Sequence, residues 1–154
     1  MTIPVSDEDL AGMRLALAQA DAAREAGEVP IGAVVMRLGD VVASAHNETV
    51  DLGHPTAHAE FLAIHRAIAE LGTDRLTDAT LYVTLEPCAQ CAGAIVLAKV
   101  GRVVFGAWDE KAGMAGSIHD LLRHPRLNHQ AEVVGGVLAD ESAALLREFF
   151  QERR

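Results

Sequence analysis

This sequence of 154 residues has no long apolar run, and its first residues do not resemble a signal peptide. Its longest apolar stretches, such as residues 31–36, are far shorter than the ~20 residues that cross a bilayer, so we expect no transmembrane helix. The N-terminal segment has no basic stretch followed by an apolar one, which argues against a cleaved secretory signal. A cytoplasmic location is therefore the default expectation.

The chain also lacks Pro-, Ser- or Gln-rich tracts, internal repeats and any segment that looks like a linker. Half of its residues are hydrophobic and 23% are charged, a composition that excludes extended disorder. The length suits one folding unit with a single core. We therefore expect one globular domain that spans residues 1–154.

Basic residues are scarce in the first part of the chain. Residues 1–98 contain 5 Lys and Arg against 14 Asp and Glu, whereas residues 99–154 contain 8 of each kind. The whole net charge of −9 thus lies in the first part. Composition alone gives no indication of RNA binding, and a polyanion would have to bind to residues 99–154.

Hydrophobic periodicity predicts helices and strands that alternate in the later part of the chain. Ser6 and Asp9 have the spacing of a helix capping box, and Leu38-Gly39 separates two β-branched runs like the turn of a hairpin. An α/β sandwich with a partly parallel sheet is the expected architecture. The predicted strands are 31–37, 40–46, 79–85, 102–108 and 131–138, and the predicted helices are about 6–27, 56–72, 87–98, 117–122 and about 140–151.

Cysteine is scarce too, and the only two, Cys88 and Cys91, lie three positions apart at the start of a predicted helix. Their sulfurs would point to one side, and the helix N-terminus favours the thiolate form that binds metal. On its own, such a pair also fits two inert buried thiols or a redox pair. The predicted helix is apolar nearly all round, so we expect it to be buried.

A second short motif is His58-Ala59-Glu60. A metal site with two thiolates still needs a further ligand, which the imidazole of His58 can supply. The sequence has seven histidines, and His65 lies about 10 Å along the helix from His58, too far to share its ion. Three protein ligands leave one position open for water, as in catalytic rather than structural zinc sites. A redox pair would have no use for His58 and Glu60.

Glu60 is the candidate acid–base group, because replacing an aromatic amine by water needs protons at a ring nitrogen and at the leaving ammonia. Residues i and i+2 of a regular helix point about 200° apart, so Glu60 and His58 can converge only if His58 lies where the helix begins. Pro55 and Thr56 immediately before it favour a helix start there.

At these motifs the sequence resembles the cytidine deaminase superfamily, and more closely the bacterial tRNA-specific adenosine deaminases, which convert the wobble adenosine to inosine. The resemblance covers nearly the whole chain from about residue 6, and its second half looks like the tRNA branch rather than the deaminases of free bases. It is carried by residues 28–33, 55–60, 84–88, 101–106, 116–117, 124–125, 128–129, 138–141 and 149–150.

That resemblance implies a three-layer α/β/α sandwich with a five-stranded mixed sheet, and a homodimer whose two protomers shape the RNA surface. It implies that His58, Cys88 and Cys91 bind Zn²⁺ and that Glu60 moves protons. The implied substrate is a tRNA anticodon stem-loop. The residues implied in substrate binding are Asn47, which would hydrogen-bond the target nucleotide, Val29, Pro30 and Leu85, which would wall the base pocket, and Ala59.

Two other functions stay open at this point. The acidic net charge is compatible with a deaminase of a free nucleobase or nucleoside such as guanine or cytosine. A zinc-stabilised scaffold without activity is the third interpretation. An intact Glu60 argues against the scaffold, which has no use for the carboxylate.

Two features depart from the family pattern. Trp108 stands where a small or charged residue is expected in a loop near the RNA, and it either covers apolar surface or stacks on a splayed base. The sequence also lacks the basic tail that some relatives carry. The basic residues left as candidate phosphate contacts are Lys111, Arg123, Arg126, Arg147, Arg153 and Arg154.

Overall fold

The computed structural model describes residues 5–153, so the candidate phosphate contact Arg154 lies outside the described residues. Among residues 5–153, no helix combines the length and apolar character needed to cross a membrane. The elements, in chain order, are α1 (Asp7–Glu25), β1 (Gly32–Arg37), β2 (Asp40–His46), α2 (Ala59–Leu71), β3 (Ala79–Leu85), α3 (Ala89–Leu97), β4 (Arg102–Ala107), β5 (Glu132–Val134) and α4 (Ala139–Glu152).

The strands form one five-stranded mixed sheet in the order β2-β1-β3-β4-β5, as expected. Strand β1 is antiparallel to both β2 and β3, whereas β4 is parallel to both β3 and β5. Leu38 (φ 52°) and Gly39 (φ 82°) both adopt the left-handed conformation that a two-residue hairpin of type I′ requires. The predicted hairpin is therefore confirmed.

Alternate residues of each strand face two different helical layers. Leu81 and Val83 of β3 pack in the core that includes α2 and α3, whereas Tyr82 between them packs in the core that includes α1 and α4. Val103 and Val104 of β4 divide in the same way. The three-layer α/β/α sandwich is thus confirmed, with α2 and α3 on one face of the sheet and α1 and α4 on the other.

Helix α1 is tied to the sheet by a buried carboxylate. Ser6 caps α1 by accepting a hydrogen bond from the backbone N–H of Asp9 at 3.1 Å, as the capping box predicts. The Asp9 carboxylate accepts hydrogen bonds from the Tyr82 hydroxyl at 3.1 Å and from both terminal nitrogens of Arg102. The bonds from Arg102 hold the pKa of Asp9 below its usual value despite burial.

Two predicted elements of the second half were wrong. Residues 117–122, all within the described part of the chain, form turns and one isolated bridge instead of a helix. The reason is that the N–H and hydroxyl of Ser117 both bond to Glu86. The strand predicted at 131–138 is confined to Glu132–Val134, because Gly136 (φ 84°) and Leu138 (φ 53°) turn the chain.

The helix that carries the cysteines also differs from expectation. Cys88 is its N-cap and Ala89 its first residue, so Pro87 precedes the helix instead of opening it. Ile95 is buried against the sheet, but Leu97 is 80% exposed, so the prediction of a helix buried all round was wrong. An apolar pattern alone does not separate a core position from an exposed one. The remaining elements agree with prediction to within about three residues.

Candidate metal centre and active site

His58, Cys88 and Cys91 come together where helices α2 and α3 begin. The Nδ1 atom of His58 lies 3.5 Å from the Sγ atom of each cysteine, and the three ligand atoms are all within 4.8 Å of one another. A tetrahedral ion about 2.3 Å from sulfur and 2.0–2.1 Å from nitrogen would separate nitrogen and sulfur by about 3.6 Å. The three side chains therefore fit a tetrahedral metal ion and leave its fourth position free.

Each helix presents its first ligand from the residue just before its first turn. His58 is the N-cap of α2 with extended backbone (φ −77°, ψ 150°), and Cys88 is the N-cap of α3, also extended (φ −79°, ψ −179°). Neither side chain caps its own helix, so both are free to bind a metal ion. The extended backbone at His58 removes the geometric objection to its convergence with Glu60 and confirms that His58 lies at the helix start.

Hydrogen bonds within the cluster favour the thiolate form of Cys88 and the thiol form of Cys91. The pKa of Cys88 is strongly lowered, first by the hydrogen bond from Cys91 and also, against burial, by that from His58. The pKa of Cys91 is raised, chiefly by its hydrogen bond to Cys88. Gln90 Nε2 donates to the carbonyl of Thr56 at 2.9 Å, which fastens the start of α3 to the segment that leads into α2.

Glu60 lies in the first turn of α2, and its side chain is 4% exposed. Burial raises the pKa of Glu60 to about 7, although the neighbouring His58 acts in the opposite direction. A carboxyl group that titrates near neutrality can both accept and release a proton at physiological pH, which suits an acid–base catalyst. Glu60 does not belong to the group of three clustered ligands.

A cleft of about 620 Å³ opens at the carboxyl ends of β3 and β4. Two of the predicted pocket walls, Val29 and Leu85, line it together with Trp108. Helix α4 contributes Leu146 and Phe150 from the other helical layer. The remaining lining residues are Ile31, Asp109, Glu110, Lys111 and Ala112.

The other three predicted substrate-binding residues, Pro30, Asn47 and Ala59, are buried and do not line this cleft. The backbone N–H of Asn47 donates to the carbonyl of Ile31 at 3.0 Å, which holds Asn47 beside the start of β1. Its side-chain amide donates to Thr49 Oγ1 at 3.4 Å. The substrate-binding role of these three residues stays a prediction.

Glu86, between β3 and the first cysteine, is a buried acid that the sequence analysis did not single out. Its carboxylate accepts the backbone N–H groups of Asp109 (2.9 Å), Ala115 (3.0 Å) and Ser117 (3.0 Å), and also the Ser117 hydroxyl. Although burial alone would raise it, these bonds hold the pKa of Glu86 below its ordinary value. A Cβ on Gly113 would lie 2.2 Å from the carboxyl carbon, so the loop closes tightly round this group. The sequence signal that could have revealed it is an acid directly after a strand of apolar, aromatic and β-branched residues.

A second fully buried acid, Glu28, holds the loop that follows β2. Its carboxylate accepts the backbone N–H groups of Val50 at 3.0 Å and Asp51 at 2.6 Å. Val29 follows it directly, so this anchor fixes one wall of the cleft relative to the loop that contains Asn47. The sequence analysis placed Glu28 in a family motif without assigning it this role.

Comparison with known proteins relates the whole chain to one family. A family model described as MafB19-like deaminase matches residues 7–154. The tRNA-specific adenosine deaminase of Bacillus subtilis is 53% identical over 142 residues, which are 92% of this chain and 88% of that protein. The Aquifex aeolicus protein of the same name is 43% identical over 92% of this chain and 93% of its own length. The chain belongs to the tRNA-specific adenosine deaminase family.

Solved structures show the same fold around related chemistry. A structure from work on A-to-I editing by tRNA:A34 deaminases matches with a TM-score of 0.84 at 44% identity, over 88% of this chain and 99% of that one. The guanine deaminase of Nitrosomonas europaea matches with a TM-score of 0.79 at 27% identity, over 96% of this chain and 86% of that one. This member of the tRNA deaminase family thus combines a deaminase fold with a His/Cys/Cys group able to bind a metal ion.

Proposed function

We propose that this chain is a zinc-dependent hydrolase that converts adenosine to inosine at the wobble position of a tRNA anticodon. The observation that carries the proposal is the convergence of His58, Cys88 and Cys91 next to the buried Glu60, in a chain 53% identical to a tRNA-specific adenosine deaminase. The net reaction takes adenosine and water to inosine and ammonia.

The donor set is the reason for proposing zinc. Two thiolates and an imidazole suit zinc far better than the oxygen-binding cations magnesium and calcium, and three protein ligands leave the open position of a catalytic site. When bound, the ion would lower the pKa of water from about 15.7 to about 7 and so supply hydroxide at neutral pH. His58 would bind through Nδ1, the atom that faces both sulfurs.

Glu60 would carry the protons. Its carboxylate form would take one proton from the attacking water and later a second from the hydroxyl group newly attached to the purine carbon. Its acid form would deliver the first proton to a ring nitrogen of the purine and the second to the amine, which leaves as ammonia. Burial raises its pKa to about 7, which keeps both forms populated near neutral pH. Glu60 belongs to the first turn of α2, and His58 is the N-cap of the same helix. The carboxyl group of Glu60 would therefore stay close to the imidazole that binds the ion.

The cleft would receive the adenine base after it has left the stack of the anticodon loop. Val29 and Leu85 line it, and their apolar side chains suit the faces of a purine ring. A tRNA substrate also agrees with the cytoplasmic location expected from the sequence.

Two of the five candidate phosphate contacts within residues 5–153 are engaged by other side chains. Arg123 pairs with Asp120 at 2.6 Å, and the Arg153 guanidinium lies 4.1 Å from the centre of the Phe149 ring. Lys111 is exposed, but it lines the cleft beside Asp109 and Glu110. We therefore propose that RNA is held by a small number of local contacts. The other exposed candidates are Arg126 and Arg147.

The homodimer implied by the family resemblance has a suitable apolar face. Leu97 of α3 and Phe61 of α2 are exposed and border a groove of about 260 Å³, which Ile64 and Ile68 also line. Exposed apolar surface of this kind marks contacts with other proteins. Since Phe61 follows Glu60, the interface would border the active site. Leu97→Glu should convert the dimer to monomers in sedimentation analysis, and a monomeric wild type would refute the interface.

The test of function compares three substrates with the zinc-loaded protein: a stem-loop RNA with a wobble adenosine, free adenosine and free guanine. We expect inosine in the stem-loop and little product from the free compounds. Efficient turnover of free guanine with no inosine in the stem-loop would instead support the second candidate, a deaminase of free nucleobases or nucleosides. That candidate is kept because the guanine deaminase of Nitrosomonas europaea shares the fold at a TM-score of 0.79.

A further inference from the structure

Trp108 is the one tryptophan of the sequence, and it is 51% exposed directly after β4. One edge of its ring is held in place by a T-shaped contact with the buried Phe105, with ring centroids 4.7 Å apart. Glycines leave the room that the ring occupies, because a Cβ on Gly135 or Gly116 would lie 2.9 or 3.2 Å from ring carbons of Trp108. The ring is therefore held in position by these contacts, while the residue as a whole is about half exposed.

Backbone pairing fixes this ring relative to the active site. Ala107, directly before Trp108, pairs with Leu85, and its carbonyl accepts the N–H of Glu86 at 2.9 Å. Asp109, directly after Trp108, donates its N–H to the Glu86 carboxylate at 2.9 Å. Glu86 lies two residues before the first cysteine ligand. Trp108 thus stands at the rim of the cleft, beside the strand end that leads into the metal centre.

The surroundings of the ring favour an uncharged aromatic partner. The cleft is lined by apolar side chains apart from Asp109, Glu110 and Lys111. Two carboxylates against one ammonium disfavour the phosphate backbone of RNA at this position. A nucleobase carries no charge, and any base can stack its face on an exposed aromatic ring.

We propose that Trp108 stacks on the base of the nucleotide directly adjacent to the deaminated adenosine. The inference rests on the proposed function and adds a substrate-binding residue to it. Stacking of this kind contributes about 5- to 100-fold in affinity, so its loss should raise KM. The value of kcat should stay nearly constant, because Trp108 is not a proton donor or a metal ligand. A ring that merely covers Phe105 would contribute to stability and leave KM unchanged.

Because the chain has one tryptophan, its fluorescence reports on this site alone. The zinc-loaded Glu60→Gln protein is titrated with the stem-loop RNA, while the anisotropy of a labelled stem-loop measures binding independently. We expect the emission to be quenched with the same Kd as the anisotropy change. Two further stem-loops each carry one abasic nucleotide, placed either directly 5′ or directly 3′ of the wobble adenosine. We expect one of these two RNAs to bind without quenching and the other to quench like the intact stem-loop. Binding of the intact stem-loop without quenching, or equal quenching by both abasic RNAs, would overturn the proposal.

Two substitutions give the kinetic test in the zinc-loaded wild-type background. Trp108→Leu keeps an apolar cover over Phe105 but has no aromatic face, whereas Trp108→Phe keeps one. We expect KM for the stem-loop to rise about 5- to 100-fold in Trp108→Leu, to change by less than about threefold in Trp108→Phe, and kcat to change little in either. On the abasic RNA that fails to quench, Trp108→Leu and wild type should have equal KM.

The possible outcomes distinguish a failure of the stacking role from a failure of the proposed tRNA deaminase function. If the wild-type protein forms inosine in the stem-loop and all three proteins have equal KM, the stacking role is refuted and the proposed function stands. If the wild-type protein forms no inosine in the stem-loop, the proposed function fails and the stacking role fails with it. Urea denaturation of each variant shows whether a kinetic change merely reflects unfolding.

Discussion

Replacing Glu86 by glutamine keeps the size of a side chain that is 2% exposed and removes its charge. Of the four hydrogen bonds that Glu86 accepts, an amide can keep three, because the Ser117 hydroxyl can turn and accept from the new NH₂ group. The backbone N–H of Asp109 then faces another N–H. One charge-assisted bond is lost and one buried donor is left unpaired, which should lower the free energy of unfolding by about 2–4 kcal/mol.

The same change should loosen one wall of the cleft, since the loop that Glu86 holds includes Asp109 and Lys111. We expect a lower urea midpoint in circular dichroism and a higher KM for stem-loop RNA, with metal content unchanged. Glu110→Gln is the matched control, because Glu110 is an exposed acid in the same loop and should change stability by less than about 0.5 kcal/mol. An unchanged midpoint in Glu86→Gln would refute the role assigned to the buried carboxylate.

The effect of Glu86→Gln should also depend on pH. The folded-state pKa of Glu86 is lowered, so its charge stabilises the fold fully above the unfolded-state pKa of about 4.3. That contribution is lost as the pH falls through the folded-state value. The difference in unfolding free energy between wild type and variant should therefore be constant near neutrality and shrink below about pH 4.

Four further predictions concern the ligands, the acid, the packing and the RNA. Cys91→Ser should lose metal in elemental analysis together with deamination, and full occupancy with normal turnover would remove the metal site. Glu60→Gln should keep metal and fold but lose about 10²- to 10⁴-fold in kcat; retention of more than about a tenth would mean that another group moves the protons. Gly32→Ala should lower the melting temperature sharply, because its Cβ would lie 2.0 Å from the Ala16 carbonyl oxygen, whereas Gly93→Ala, in open space on α3, should stabilise by about 0.5–1 kcal/mol. Log RNA affinity should fall with log salt at about −0.7 per phosphate contact, and a slope steeper than about −4 would contradict a small number of contacts.

Local sequence signals sufficed for most of the fold and for the centre of the site. Runs of β-branched and apolar residues marked the first four strands, and Leu38-Gly39 marked the hairpin because it separates two such runs. The requirement that His58 and Glu60 converge predicted the helix start at His58, since only an extended residue satisfies it. These features depend on neighbours in the chain, which a single sequence displays.

Features that depend on distant partners were missed. The donors that bind Glu86 lie at Asp109, Ala115 and Ser117, more than twenty positions along the chain, so no spacing rule connects them. The hydrogen bonds from Ser117 to Glu86 are also the reason why residues 117–122 do not form the predicted helix. The exposure of Leu97 was missed because an apolar stripe has the same composition whether it packs in the core or faces outward.

Helix α4 forms one side of the cleft, because Leu146 and Phe150 line it, whereas the metal ligands belong to α2 and α3. Helix α4 is in turn clamped to α1 by the ion pairs of Arg24 with Glu148 and Glu152. The α4 side of the cleft is thus joined to α1, which supplies none of the lining residues found among residues 5–153. We expect substitutions at Arg24 to act on the cleft only through α4 and to leave the three metal ligands and Glu60 in place, so a search for altered specificity has reason to begin there.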